Sequence, residues 1–374
     1  MRIAVYSPYI PKHRGGGEKH FFDVVKVLAK HHQVSVALPA AFGNTISSNQ
    51  AKLWQNKYES LLGEPLGNVN WIPSPLGTAG NPVATWWWTH QFDAIYFATD
   101  GSLFLSGAKT NLLHLQVPYT QSLSLIDRLK LSSWNRINTN SEFTKNLIEK
   151  AWKIKVPFVL YPSVDVSMLS KAAFDQKQKV VLNVGRFFRQ LHSKRQDVLV
   201  KMWQQLLTEY PTQAAGWKLV MIGSVEDESY FSEVKLLAKD YPIEFITEVS
   251  RDELVAWYQK ASLYWHATGY GADQETEPEK MEHFGISTVE AMAAGCVPMV
   301  YAAGGQLEVL GHLQPACGWL TQSEAVAKTA KLMTAQQNKT AEFLRLQSES
   351  QVQAQNFSPE KFESTLNLML KETV

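Results

Sequence analysis

The sequence predicts an α/β protein made of two Rossmann-like domains. Three observations carry that reading: short apolar runs alternate with amphipathic stretches, the alternation runs through twice, and it breaks once in between. Strand candidates fall at 2–7, 33–38, 92–98, 110–117 and 156–161, then at 179–185, 217–223, 243–249, 263–267 and 297–302. With 374 residues, 45% of them apolar, the chain is too long for one ordinary core and can pack two. The break is Pro162-Ser163-Val164-Asp165 and the polar run Asp175-Gln176-Lys177-Gln178-Lys179, neither of which has a buried periodicity. We therefore expect a first domain over 1–163, a second over 164–357 and a terminal segment, 358–374.

Each element has a local cause. Arg2-Ile3-Ala4-Val5-Tyr6 opens the first domain as a strand, and Phe21, Val24, Val25, Leu28 and Ala29 then recur at helical spacing. The strand, glycine, helix order returns from Val180. Segments near 322–335, 338–355 and 359–372 read as helices, the last expected to pack back on the first domain.

Composition excludes several functions. Lys and Arg total 36 against 35 for Asp and Glu, so no global field draws in nucleic acid, which is not expected as a partner. Cys296 and Cys317 lack metal or redox spacing and read as core residues. Because a strand already begins at Arg2, no secretory leader is expected, and no apolar run approaches the ~18 residues of a membrane span. The cytoplasm is the expected compartment.

Parallel sheets bind ligands beyond the carboxyl ends of their strands, and three motifs fall there. Gly15-Gly16-Gly17 stands between the first strand and its helix, where backbone amides approach a charged ligand closely; a ligand-free turn is the alternative. Gly185-Arg186 ends the first strand of the second domain, and Lys194 precedes the next helix. Two cations there suit a departing diphosphate, with a surface salt bridge as the alternative. Third, Glu282-His283-Phe284-Gly285-Ile286-Ser287-Thr288-Val289-Glu290 precedes the strand at 297–302. A helix starting near Gly285 aims the amides of Ile286, Ser287 and Thr288 at an anion, with Glu282 before that end and Glu290 a turn inside.

This third stretch resembles the Glu-x7-Glu motif of retaining GT-B glycosyltransferases, family 4 in particular, and the resemblance runs almost the whole length. Arg186 and Lys194 match the basic pair, Gly15 to Gly17 the first-domain loop, Ser141-Glu142-Phe143 the segment closing that domain, and Pro162-Ser163-Val164-Asp165 the hinge. The resemblance implies a GT-B fold, two domains facing each other across a cleft. It implies a nucleotide sugar donor with Glu290 on the ribose, Glu282 at the sugar ring and Arg186, Lys194 and the helix amides on the diphosphate. The loop around Val249 would receive the base, and His114 would match a histidine that reaches the donor sugar. Arg186 and Lys194 stand eight apart instead of five, so Gln190-Leu191-His192 reads as an insertion that lets Arg189 or Arg195 compete for the second role. His283, the triple glycine and Gly269-Tyr270-Gly271 look like glycan-assembly members, including mannosyltransferases of lipid-linked oligosaccharide synthesis.

The implied function is metal-independent, retaining transfer of a hexose from UDP-hexose or GDP-mannose to a saccharide or lipid-linked acceptor by front-face attack. No cofactor or metal is expected. A lipid-linked acceptor would bring the chain peripherally to the inner face of the membrane. The rivals are a non-hydrolysing nucleotide-sugar epimerase and a non-catalytic nucleotide-sugar binding protein. Trp86-Trp87-Trp88, with Trp54 and Tyr58, reads first as core and secondarily as an aromatic platform for an acceptor.

Overall fold

The computed structural model describes residues 1–8, 15–40, 43, 46–77, 81–170, 174–190 and 193–371. The chain forms two compact units, Met1–Ser163 with Glu360–Val374, and Val164–Pro359. The first unit holds β1 (Arg2–Tyr6), β2 (Gln33–Leu38), β3 (Asn70–Pro73), β4 (Ala94–Ala98), β5 (Thr110–Leu115), β6 (Arg136–Thr139) and β7 (Phe158–Val159), in the order β3-β2-β1-β4-β5-β6-β7. The second holds β8 (Gln178–Val184), β9 (Lys218–Ile222), β10 (Ile243–Ile246), β11 (Ala261–His266), β12 (Val297–Tyr301) and β13 (Gly318–Trp319), in the order β10-β9-β8-β11-β12-β13. All paired strands run parallel.

Parallel strands covered on both faces are apolar throughout, which is why these runs were legible. In the first unit, alternate residues divide the core: Ile3 and Val5 point into one layer with Val34 and Val36, and Ala4 and Tyr6 into the other with Ile95 and Phe97. The helix Gly16–Ala29 closes the first layer with Phe22, Val24, Val25 and Leu28. The helix Pro359–Lys371 adds Phe362, Leu366 and Met369 to that layer, and Arg136 Nε donates to the Met369 carbonyl at 3.2 Å. In the second unit, Trp203 of helix Gln196–Glu209 meets Trp265 of β11 edge to face at 5.8 Å.

Three strands have no apolar run to announce them. β3 is an edge strand ending on Pro73; β13 has two residues; and β6, Arg136-Ile137-Asn138-Thr139, is fully buried although three of its side chains are polar. The aromatic platform does not form. Tyr58 packs against Phe22 and Trp71 in one layer, while Trp88 joins the layer on the opposite sheet face.

Both strand orders reverse direction once, between β1 and β4 and between β8 and β11, and such switch points open a crevice at the carboxyl ends of the strands. In the second unit, those ends are Val184, followed by Gly185-Arg186, and His266. The segment 267–285 and the helix Ile286–Ala293 come next.

Leu366→Ala deletes a fully buried side chain from the layer shared with Val25 and is expected to cost about 2–5 kcal/mol, read from urea unfolding; a loss under about 1 kcal/mol would show that the helix contributes little to this core.

Candidate functional site

The second-unit crevice assembles around Glu282. Its Oε2 accepts a 2.5 Å hydrogen bond from Lys194 Nζ and lies 3.1 Å from His266 Nε2. Gln306 Nε2 stands 3.2 Å from His266 Nδ1 and donates to Thr288 Oγ1 at 3.0 Å. An amide donor on Nδ1 leaves the proton on Nε2, where it faces the carboxylate. Burial lowers the His266 pKa although Glu282 opposes this, so the ring is neutral near pH 7. Burial alone would raise the Glu282 carboxyl, but Lys194 and His266 outweigh it and hold the group well below the usual carboxylate range. The result is an anion with two fixed donors.

The helix Ile286–Ala293 starts beside this anion. Gly285, its N-cap, has φ +111, and a Cβ there would stand 2.7 Å from Gln306 Nε2. Gly305 plays the matching part after β12: its N–H donates to the Glu282 carbonyl at 2.8 Å, and a Cβ would strike the His283 carbonyl at 2.2 Å. Tyr264 Oη of β11 bonds Ser287 Oγ at 2.8 Å and reaches the Val184 carbonyl at 3.5 Å. The helix end is thereby tied over the end of β8, and Gly185 lies against the Lys194 stem.

Glu290, one turn into the helix, is buried. Oε1 pairs with Arg251 Nη1 at 2.6 Å and Oε2 accepts from Tyr258 Oη at 2.9 Å. Arg251 opens the helix Arg251–Lys260 two residues after Val249, which sits half-buried in the loop from β10. Glu290 and the Val249 loop are thus neighbours through one guanidinium.

The predicted cations separate. Lys194 contacts Glu282, and Arg186 is half-exposed and pairs with Glu226 at 3.1 Å. Arg189 pairs with Glu233 on the surface; Arg195 pairs with Asp197 and donates to the Tyr270 carbonyl. Both are engaged away from Glu282, and of the expected insertion Leu191 and His192 lie outside the described residues. One expectation about amides needs correcting: Thr288 N–H turns back to the Gly285 carbonyl at 3.0 Å, leaving Ile286 and Ser287 as the amides at the open end.

In the first unit, Gly16 and Gly17 form the opening residues of helix Gly16–Ala29, whose N-cap, Gly15, makes no side-chain cap. Gly17 lies against the Gln116 side chain, just past β5. His114 differs from expectation. It is fully buried, bonded through Nδ1 to Asn138 Oδ1 at 2.7 Å and stacked on His20 at 3.9 Å, and burial lowers its pKa to about 4. The helix Gly16–Ala29 covers this strand end, so the ring is packed inside the unit and Gln116 is the next polar side chain beyond it.

Sequence reasoning missed His266, Gln306, Arg251 and Tyr258. A signal existed for Gln306, since Gly304-Gly305-Gln306 follows β12 as another glycine turn at a strand end. His266, Arg251 and Tyr258 had none.

Residues 168–345 match the model of a family described as glycosyl transferases group 1. A Mus musculus GDP-Man:Man(3)GlcNAc(2)-PP-Dol alpha-1,2-mannosyltransferase is 28% identical over 203 residues, 50% of this chain and 38% of that protein. A Saccharomyces cerevisiae alpha-1,3/1,6-mannosyltransferase is 28% identical over 234 residues, 54% of this chain and 46% of that one. Each match therefore spans less than half of the relative's own length. Among solved structures, a Rickettsia africae glycosyltransferase superposes with TM-score 0.71 at 14% identity, covering 100% of this chain and 99% of that one. Anabaena HepE in complex with UDP and glucose gives TM-score 0.64 at 16% identity, covering 100% and 99%.

Two measurements follow from the packing. His114 carries a lower pKa folded, about 4, than its ordinary 6.5, so the unfolded chain takes up a proton first as pH falls. Stability should drop between about pH 6.5 and pH 4, by about 3 kcal/mol from this group, with His20 adding in the same direction. His114→Phe should flatten that part of a urea-midpoint profile, and an unchanged slope would contradict the buried, neutral ring. Gly285→Ala forces a side chain into φ +111 and against Gln306, at an expected cost of about 1–3 kcal/mol in thermal unfolding; no change would mean that the turn relaxes freely.

Proposed function

We propose that this chain, a GT-B protein whose residues 168–345 match the group 1 glycosyl transferases, moves a hexose from a nucleotide diphosphate sugar to a lipid-linked saccharide. The observation that carries the proposal is Lys194 held at 2.5 Å from Glu282 beside the open N-terminus of helix Ile286–Ala293. A sugar diphosphate leaves as an anion, and positive charge fixed beforehand where that anion develops lowers the barrier. Lys194 and the amides of Ile286 and Ser287 supply it, Arg186 would join them by exchanging Glu226 for the diphosphate, and the proposal needs no metal.

Glu290 and Arg251 would take the ribose side, with the Val249 loop at the base. Glu282, anchored by Lys194 and His266, would accept hydrogen bonds from hydroxyls of the transferred sugar. Its low pKa suits an acceptor and does not suit a general acid. Transfer with retention would follow from front-face attack: the acceptor oxygen bonds to the anomeric carbon on the side where the sugar–phosphate bond breaks, and the proton passes to the leaving phosphate. In this scheme Glu282 forms no covalent link to the sugar.

GDP-mannose is the first donor to try, because the mannosyltransferase relatives carry it in their names, and UDP-glucose the second. The same relatives motivate an acceptor of the Man(3)GlcNAc(2)-PP-Dol type, met at a membrane surface. The test is transfer from each donor to a lipid-linked saccharide. Arg186→Ala and Lys194→Ala are each expected to slow it at least about tenfold, the worth of one charge-assisted hydrogen bond. Undiminished turnover in both variants refutes the assignment, and product formed from donor alone would point to an epimerase.

A further inference from the structure

A crossover helix on a parallel sheet normally turns its apolar side inward. The helix Leu125–Leu131, which connects β5 to β6, does the reverse. Leu125 is 86% exposed and Ile126 and Leu129 are each 67% exposed, whereas Leu131 is the residue it buries. At ~100° per residue the three exposed side chains share one arc, with Arg128 on one flank and Lys130 on the other. Leu131 and Asp127 fall on the opposite side; Asp127 is occupied by the Ser124 cap and by Lys130 at 3.2 Å.

Further cations adjoin this face. Arg128 Nη1 reaches the Trp152 carbonyl at 3.5 Å, which brings the helix next to the turn carrying the exposed Lys153 and Lys155. The first unit as a whole holds 18 Lys and Arg against 12 Asp and Glu, a net of +6, while the second holds 18 against 23, a net of −5. An apolar stripe rimmed by cations on the positive half of the chain has the composition of an interfacial helix, whose side chains enter the acyl boundary while the bases meet lipid phosphates.

We infer that the helix Leu125–Leu131, with Arg128, Lys153 and Lys155, is the surface by which this chain docks on an anionic lipid bilayer. A second copy of the chain fits less well: a two-fold contact sets each patch against itself and would bring both basic rims together. The inference deepens the proposed lipid-linked acceptor by naming how the chain meets its membrane, yet its test does not depend on sugar transfer.

The full chain is sedimented with phosphatidylcholine vesicles, with and without phosphatidylglycerol. Binding is expected on the anionic vesicles and should weaken with salt. Leu125→Ser, Ile126→Ser and Leu129→Ser combined should lower it at least about tenfold while donor binding stays unchanged, and Arg128→Glu with Lys153→Glu should remove the preference for anionic lipid. An environment-sensitive dye on Ile126→Cys, selective because Cys296 and Cys317 are buried, should shift to the blue on those vesicles. The inference is overturned if the triple variant binds as wild type does, if wild type ignores anionic vesicles, or if the triple variant instead dissolves a dimer. Loss of donor binding with vesicle binding intact would overturn the transferase reading alone.

Discussion

The contact between Glu282 and Lys194 joins segments 88 residues apart, and the second-unit crevice is arranged around it. Taking an ammonium and a carboxylate largely out of water costs several kcal/mol per ion unless each finds the other and further donors complete the shell. Lys194 and Glu282 retain only 17% and 15% of their side-chain exposure, and His266 supplies the second donor. Lys194 follows β8, His266 ends β11 and Glu282 precedes the helix that leads to β12. The ion pair and His266 thus tie the loop that leads into the helix Ile286–Ala293 to the ends of β8 and β11.

The switch-point topology explains why that pair lies where it does. Because β8 and β11 are neighbours whose connections leave in opposite directions, the loops after them diverge, the condition under which a crevice forms beyond the carboxyl ends of the strands. Small residues then let backbone crowd in: Gly305 against the His283 carbonyl, Gly285 against Gln306. The polar chain Thr288, Gln306, His266, Glu282, Lys194 runs from inside the helix to the crevice. Each of its links is a hydrogen bond or ion pair between largely buried groups, so displacing one side chain breaks a contact of the next.

Much of this was legible in the chain itself. Buried parallel strands such as β4 and β12 are written as unbroken apolar runs, and the two glutamates flank the glycine, Gly285, at which a helix starts. The polar β6, all four residues buried, defeats the same logic because Asn138 is satisfied across the sheet by His114 and Thr139 donates to the Ser141 carbonyl just beyond the strand. His266 was hidden in the apolar run Ala-Ser-Leu-Tyr-Trp-His, where a neutral buried imidazole looks like one more core residue. Arg251 and Tyr258 have ordinary helical surroundings, and only folding brings them to Glu290. His114 shows how much one residue of alternation decides: next to the last position of β5, it packs beneath the helix Gly16–Ala29 with Nδ1 on Asn138 and Nε2 unpartnered among the described residues.

The first unit is written in two pieces, residues 1–163 and 360–374, with all of the second unit between them. On the ribosome, the amino-terminal piece emerges while Phe362, Leu366 and Met369 are still untranslated, so the seam they fill beside Val25 and Leu28 stays open during synthesis of nearly two hundred residues. The second unit, whose segments are contiguous, can finish first. Biogenesis therefore inverts the order of the sequence, and the nascent amino-terminal sheet is a natural client for chaperones until its missing helix arrives.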